Sequence, residues 1–221
     1  MNFSREHQYV FVLNELCGEK NIVRLLEKFN FLTIKQHDEL PVTVSQYSTS
    51  RKVPFECRNY TIVQLIDNPY RNLINQYRQI SRENWILKSA DLETFKEMFN
   101  KWCEGYLEDI EHLVNENLIE YVTYQKFIFN IKDFSHPHFY VRSESMEEDL
   151  QKIPLFSETD IQIREIFFPS LWDDYKNILS KENAKKIFWL NRDFFIKTGY
   201  DPFSFSTEKF SLKEKVDFIH N

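Results

Sequence analysis

Residues 61–78 read TIVQLIDNPYRNLINQYR, and how this stretch folds decides the rest of the chain. It opens with a short apolar run, Thr61 to Ile66, whose Ile62, Val63, Leu65 and Ile66 suit a buried strand. Asp67-Asn68-Pro69 then turns the chain. Asn68 suits a helix N-cap, and Pro69 suits the first helical position, where its missing N–H costs nothing. Tyr70, Leu73, Ile74 and Tyr77 follow at helical spacing. The stretch therefore predicts strand, tight turn and helix. Such a turn gathers backbone N–H groups and the positive end of a helix dipole at one spot, where an anion is the natural guest. An ordinary βα junction has the same pattern.

Upstream, Tyr9 to Leu13 (YVFVL) predicts another buried strand. Asn14 to Gly18 makes a turn, and Ile22, Leu25, Leu26 and Phe29 mark a helix over 21–29. Phe31 to Lys35 (FLTIK) predicts a third strand, with His37 just past its carboxyl end. Ligands of open α/β sheets bind at that edge. A histidine there can take a proton from an acceptor hydroxyl, and it can equally be a polar loop residue. Residues 41–60 read as an irregular excursion with one basic pair, Arg51-Lys52.

Downstream, Ser89 or Asp91 caps a long helix whose apolar face runs through Leu92, Phe95, Met98, Phe99, Trp102, Tyr106, Leu107, Ile110 and Leu113. Glu104, Glu108, Asp109 and Glu111 are most simply its wet face. Tyr121 to Phe129 precedes a further strand, His138 to Arg142. His136 and His138 alternate, but no third ligand has metal-site spacing, so no metal is expected. A last clear helix begins at Ser180-Lys181-Glu182, presents Ile187, Leu190, Phe194 and Phe195, and stops at Gly199 before Pro202. From about 206 the tail is polar and expected to be peripheral. Strands alternating with helices predict an α/β fold with a parallel sheet flanked by helices.

Composition narrows the function classes. At 221 residues the chain is read as a single domain, 1–221, with one sizeable core. Aromatics reach 16% and glycines number only 3, so the chain is built to bury area rather than to flex. A net charge of −6 argues against a general nucleic-acid binder, though not against a local basic pocket for one anion. Cys17, Cys57 and Cys103 fit neither a disulfide framework nor a metal motif, which points to a reducing, cytoplasmic setting. The opening residues carry too short an apolar run for a signal peptide or a membrane span.

Four patches, in order over about residues 9–202, resemble the sulfotransferase family, and the carbohydrate-modifying type within it. That family's second cofactor motif runs from a strand through Arg-Asp-Pro-Tyr, a spacer, Arg, two aliphatics, Ser, any residue and Tyr. Pro69, Tyr70, Leu73, Ile74 and Tyr77 fall in register; Asp67, Asn68, Asn72 and Asn75 replace the first Arg, the Asp, the second Arg and the Ser. Arg71 sits one residue from an expected Arg. The first motif, Lys-Thr-Gly-Gly-Thr-Ser, falls on Leu16 to Asn21, with Gly18 and Glu19 on its glycines, Lys20 on Thr, Asn21 on Ser and Leu16 on the catalytic Lys. FYVRSESMEEDLQKI resembles a late strand running into Arg-x-Glu-x-Leu, and KKIFWLNRDFFIKTGYDP resembles the family's C-terminal helix.

The resemblance implies a sulfotransferase-like, P-loop-NTPase-like three-layer fold. It implies transfer of a sulfuryl group from 3′-phosphoadenosine-5′-phosphosulfate (PAPS) to a hydroxyl or amine of a small-molecule or carbohydrate acceptor. Gly18, Glu19, Lys20, Asn21, Arg71 and Asn75 would hold the donor, with Lys20 on the 5′-phosphate and Asn75 and Arg71 on the 3′-phosphate. His37 would be the base. Asp67 would repel the 3′-phosphate, and Leu16 cannot stabilise the leaving oxygen. Two hypotheses therefore stand: an active sulfotransferase with a divergent donor site, and a catalytically inactive relative kept for binding or assembly. A nucleotide-binding relative without a P-loop is a third, since no GxxxxGK[ST] occurs. The fold reading requires 9–13, 61–66 and 138–142 to be neighbouring, mostly parallel strands. It also requires Phe194, Phe195 and Tyr200 to be buried against the sheet domain.

Overall fold

The computed structural model describes residues 2–13, 19–33, 57, 59–81, 91–115, 137–158 and 175–220; for 2, 19–21, 32–33, 79–81, 111 and 113–115 only the backbone is described. The chain divides into two compact units, Met1–Asp67 with Ile131–Pro169, and Asn68–Asn130 with Ser170–Asn221.

The first unit is α/β. Its described strands are β1 (Asn2–Ser4), β2 (Tyr9–Val12), β3 (Leu32–Thr33), β4 (Thr61–Ile66) and β5 (Phe139–Arg142), in the spatial order β3-β1-β2-β4-β5. β2 pairs with β4 in parallel, from Tyr9↔Thr61 to Val12↔Gln64, and β4 pairs with β5 in parallel, from Val63↔Phe139 to Ile66↔Arg142. These are the three neighbouring parallel strands expected from their apolar runs. Helix α1 (Glu19–Lys28) follows β2, and a short α4 (Met146–Gln151) follows β5.

The pleat sorts the side chains. Phe11, Leu13, Val63, Leu65 and Val141 join Ile22 and Leu26 of α1 and Met146 and Leu150 of α4 in one core. Val10 and Val12 point the other way, to Cys57, Phe3, Tyr60 and Ile62. A sheet buried on both faces needs apolar residues at successive positions, which is why β2 and β4 read as runs rather than alternations. Phe11 meets Phe31 and Phe156 edge to face, with ring centres 5.5 and 5.9 Å away. α1 ends with Asn30 left-handed (φ 56°), while the Phe31 N–H reaches back 3.0 Å to the Leu26 carbonyl.

Two features depart from the sequence reading. β1, too short and polar to announce itself, forms a hairpin with β2 through the turn at 5–8, where Gln8 is left-handed (φ 57°). The strand expected over 31–35 is seen at 32–33, antiparallel to β1 at the sheet margin; 34 and 35 lie outside the described residues. So do Leu16, Cys17, Gly18, His37, Arg51, Lys52, Tyr121 to Phe129 and His136.

The second unit is helical where described: α2 (Pro69–Ser81), α3 (Leu92–Asn115), α5 (Lys181–Leu190), α6 (Arg192–Thr198) and α7 (Leu212–His220). The Asp91 side chain accepts from the Thr94 N–H at 2.8 Å, so Asp91 caps α3. Phe99, Cys103, Leu107 and Ile110 form the buried seam of α3, whereas Leu92 is exposed. Tyr77 of α2 stacks among Phe95, Phe99 and Trp102, with ring centres 5.0–5.7 Å away. Ser180 caps α5 by accepting from the Asn183 N–H at 3.1 Å. Asn100 ties that cap to α3, accepting from the Ser180 N–H and donating to the Ile178 carbonyl, both at 2.8 Å.

The long helix expected from Ser180 is broken at Asn191, which is buried with φ −120° and ψ 20°. Its side-chain amide donates to the Ile187 carbonyl at 2.9 Å, competing with the helical ladder as asparagine does. α6 then stops at left-handed Gly199 (φ 72°), whose N–H bonds the Phe195 carbonyl. Phe194, Phe195 and Tyr200 are buried, but the rings they meet, Tyr70 and Phe188 among them, belong to the helical unit rather than to the sheet against which they were expected to pack. The tail departs from expectation: it holds α7, whose Phe218 is buried among Phe188, Phe203 and Phe205. We expect Phe194→Ala to lower stability by about 3–5 kcal/mol in urea melts, as loss of a buried aromatic ring does.

Candidate functional site

Because β2, β4 and β5 are parallel, their carboxyl ends share one sheet edge, where open α/β sheets bind ligands. β4 and β5 end in register at Ile66↔Arg142, so the next residues, Asp67 and Ser143, are neighbours. The Ser143 hydroxyl donates to Asp67 Oδ1 at 2.8 Å and lies 3.1 Å from Glu144 Oε2. One hydroxyl carries one proton, so it serves one carboxyl at a time. Asp67 is fully buried at the position where the resemblance calls for a phosphate-binding arginine.

The end of β5 is pinned by Asp149 of α4. Arg142 donates through Nε to Asp149 Oδ2 at 2.8 Å, through Nη2 to Oδ1 at 2.9 Å, and through its backbone N–H to Oδ2 at 3.0 Å. Lys152 Nζ adds a fourth bond to Oδ1 at 2.9 Å. Burial by itself would raise the Asp149 pKa, but the bonds from Arg142 and Lys152 outweigh it and hold the carboxyl below its ordinary range. The similarity of residues 139–150 to a family motif is thus architectural here: Arg142 and Asp149 clasp, while Met146 and Leu150 fill the core.

Of the residues assigned to the donor, Glu19, Lys20 and Asn21 form the first turn of α1. The first N–H groups of a helix have no intrahelical acceptor, so this turn fits a phosphate. Gly18 and His37 lie outside the described residues. Arg71 and Asn75 are one turn apart on α2, Arg71 buried and Asn75 half-buried, and so share a helix face.

The start of α2 is differently committed. The Asn68 side chain accepts from the Tyr70 N–H at 3.0 Å, the cap its sequence predicts, and the Asn72 N–H goes to the Asn68 carbonyl at 2.9 Å. Asn68 Nδ2 donates to Ser204 Oγ at 2.8 Å, and the Tyr70 hydroxyl donates to the Pro202 carbonyl at 2.7 Å. Asn72, standing where the family has its second Arg, accepts from Gln76 Nε2 at 2.6 Å. The backbone N–H groups of Tyr70 and Asn72 and the Tyr70 hydroxyl are therefore used within the protein. The first turn of α1 fits the donor's phosphate, whereas a buried carboxyl at 67 and an internally capped α2 do not fit a second one.

Other chemistry is limited among the described residues. No group of three or more His, Cys, Asp or Glu side chains is placed to hold a metal. The His138 Nδ1 accepts from the Ile62 N–H at 2.9 Å and extends the β4–β5 pairing. Burial pushes the Cys103 thiol up to about 12, so it is no nucleophile at neutral pH. No helix among the described residues is long and apolar enough to cross a membrane. The Asp67–Ser143 pairing was not anticipated. Its signal is a polar residue immediately past the carboxyl end of each of two strands expected to be neighbours.

The fold and this edge define an α/β protein with a mixed sheet and three adjacent parallel strands. Comparison with protein-family models, curated proteins and solved structures gives no match for the chain.

Two outcomes are expected. Asn68→Ala removes the α2 cap and the bond to Ser204 and should cost about 1–2 kcal/mol in urea unfolding. Asp149→Asn should cost about 1.5–3 kcal/mol near neutral pH, the lower figure if solvent at the half-exposed Arg142 screens the pair. Because the folded pKa of Asp149 is depressed, its contribution is complete above the unfolded carboxyl value of about 3.9 and is lost as pH falls through the lower folded value. The gap between wild type and variant should therefore stay constant from neutral pH down to about 5 and close on further acidification.

Proposed function

We propose that the chain is a sulfotransferase-like protein, with that family's three-layer, P-loop-NTPase-like arrangement. In this reading it is a cytoplasmic transferase that binds PAPS and passes the sulfuryl group to a hydroxyl or amine of a small-molecule or carbohydrate acceptor. One observation carries the reading. β2 and β4 lie side by side in parallel, and each leaves the sheet at the same edge into a segment followed by a helix. That is the arrangement which the first two of the four sequence patches require.

The backbone of Gly18 and the first turn of α1, with the Lys20 ammonium, hold the 5′-phosphate. Arg71 and Asn75 keep one cation and one amide on the helix where the family holds the 3′-phosphate. His37 takes the acceptor's proton as the new bond to sulfur forms. Leu16 supplies nothing to the bridging oxygen as its bond to sulfur breaks, so transfer is slow relative to a family member that keeps the lysine.

A second reading, a catalytically inactive relative serving binding or assembly, is favoured by a specific observation. The Asp67 carboxyl is buried and held by Ser143 where the family presents a guanidinium. Titration calorimetry with adenosine 3′,5′-bisphosphate, paired with a labelled-sulfate transfer assay over carbohydrate acceptors, separates the two. We expect weak binding by the wild type, a loss of about tenfold in Lys20→Ala, and a gain in Asp67→Asn, which removes charge but keeps an acceptor for Ser143. Binding without transfer selects the inactive relative. Absence of heat from all three folded proteins overturns the donor site.

A further inference from the structure

The C-terminal helix is attached to the helical unit in an unusual way. Over 207–220, Phe218 is the one buried side chain, at 1% exposure, and Phe210 and Ile219 are half-buried. The Phe218 ring sits 5.1 Å from Phe203, 5.7 Å from Phe188 and 5.8 Å from Phe205. Ahead of the helix, half-buried Phe210 also packs on Phe203 and Phe205, with ring centres 5.2 and 5.6 Å away. The polar ties of α7 are exposed: Lys185 Nζ donates to the Asp217 carbonyl at 3.1 Å, Lys181 approaches Glu214 at 3.7 Å, and the Lys215 ammonium lies 5.4 Å from the Phe203 ring centre. Exposed contacts of this kind add little. A nine-residue helix is too short to persist alone in water, so α7 is helical only while Phe218 is docked.

What lies beneath Phe218 gives this attachment a consequence. Phe205 packs on Tyr70 with ring centres 5.6 Å apart, and the flanking residues Pro202 and Ser204 accept from the Tyr70 hydroxyl and the Asn68 amide. Residues 202–205 are thus clasped between α7 on one side and the capped first turn of α2 on the other. We propose that α7 is a latch on that first turn. Docked, it presses Phe203 and Phe205 inward and holds the Asn68 cap closed. Released, it melts, uncovers Phe188, Phe203 and Phe205, and frees Asn68 and Tyr70 from the 202–204 backbone and side chains. α7 and the first turn of α2 therefore open together, as one cooperative unit below global unfolding. The coupling holds whatever the chain's activity; its effect on nucleotide binding rests on the donor reading above.

Amide hydrogen exchange of the full chain, read residue by residue by NMR, tests this without any ligand, so its failure and that of the donor reading are separate events. In Phe218→Ala, exchange at the Tyr70 and Asn72 amides should rise by about tenfold or more along with that of 214–219, while Val63 and Leu65 of β4 stay protected. Loss of protection in α7 with Tyr70 and Asn72 unchanged overturns the latch. Should the variant fail to fold, native-state exchange of the wild type in low urea decides. Opening of 214–219 and of Tyr70 and Asn72 with one free energy and one urea dependence supports the latch, and different values overturn it.

Discussion

Strand β4 is hydrogen-bonded on both of its edges by parallel neighbours and is buried along most of its length. Parallel neighbours cannot be joined by a tight hairpin, so the chain must leave the sheet after each strand and return to its start. That constraint explains the long intervals between residues 12, 61 and 139. It also sends the ends of β2, β4 and β5 to one edge. Asp67 and Ser143 meet there only because Ile66 pairs with Arg142; a slip of one residue would turn the strand's side chains to the opposite faces.

Immediately beyond β4 the chain turns from a ladder of strand hydrogen bonds to a helix, and the orphan donors of that helix need partners. Asn68 meets the need with one side chain. Its oxygen takes the Tyr70 N–H, and its nitrogen is spent on Ser204. The same residue therefore starts α2 and fastens a loop more than a hundred residues later in sequence. The aromatic richness of the chain serves this arrangement. Tyr70, Phe188, Phe195, Phe205 and Phe218 touch in succession, and each ring buries more area than an aliphatic side chain would.

Electrostatics divides the structural carboxyls from the remaining candidates. Asp149 is saturated by Arg142 and Lys152 and acts as a clamp on the end of β5. Asp67 is also buried, and its Oδ1 accepts from the Ser143 hydroxyl. That carboxyl stands where the resemblance calls for a phosphate-binding arginine.

Periodicity alone located β2, β4 and β5, the starts of α2 and α3, and the Gly199 stop, because local spacing, caps and apolar runs are written in adjacent residues. Asn68 and Pro69 announce the α2 start whatever surrounds them. Other features depend on partners distant in sequence. β1 is a strand because Phe11 and Leu32 lie beside it, not because Asn2, Phe3 and Ser4 carry a pattern. Asn191 breaks a promising helix by binding the carbonyl of Ile187, and α7 buries a single side chain, Phe218. The two polar residues at the sheet edge looked unrelated along the chain, 76 positions apart. Residue type dictates what each segment prefers locally; only the tertiary pairing of β4 with β5 decides that Asp67 is buried against Ser143 rather than presented to a ligand. Hydrogen-bond register acts across space, and the spacing of neighbouring residues carries no record of it.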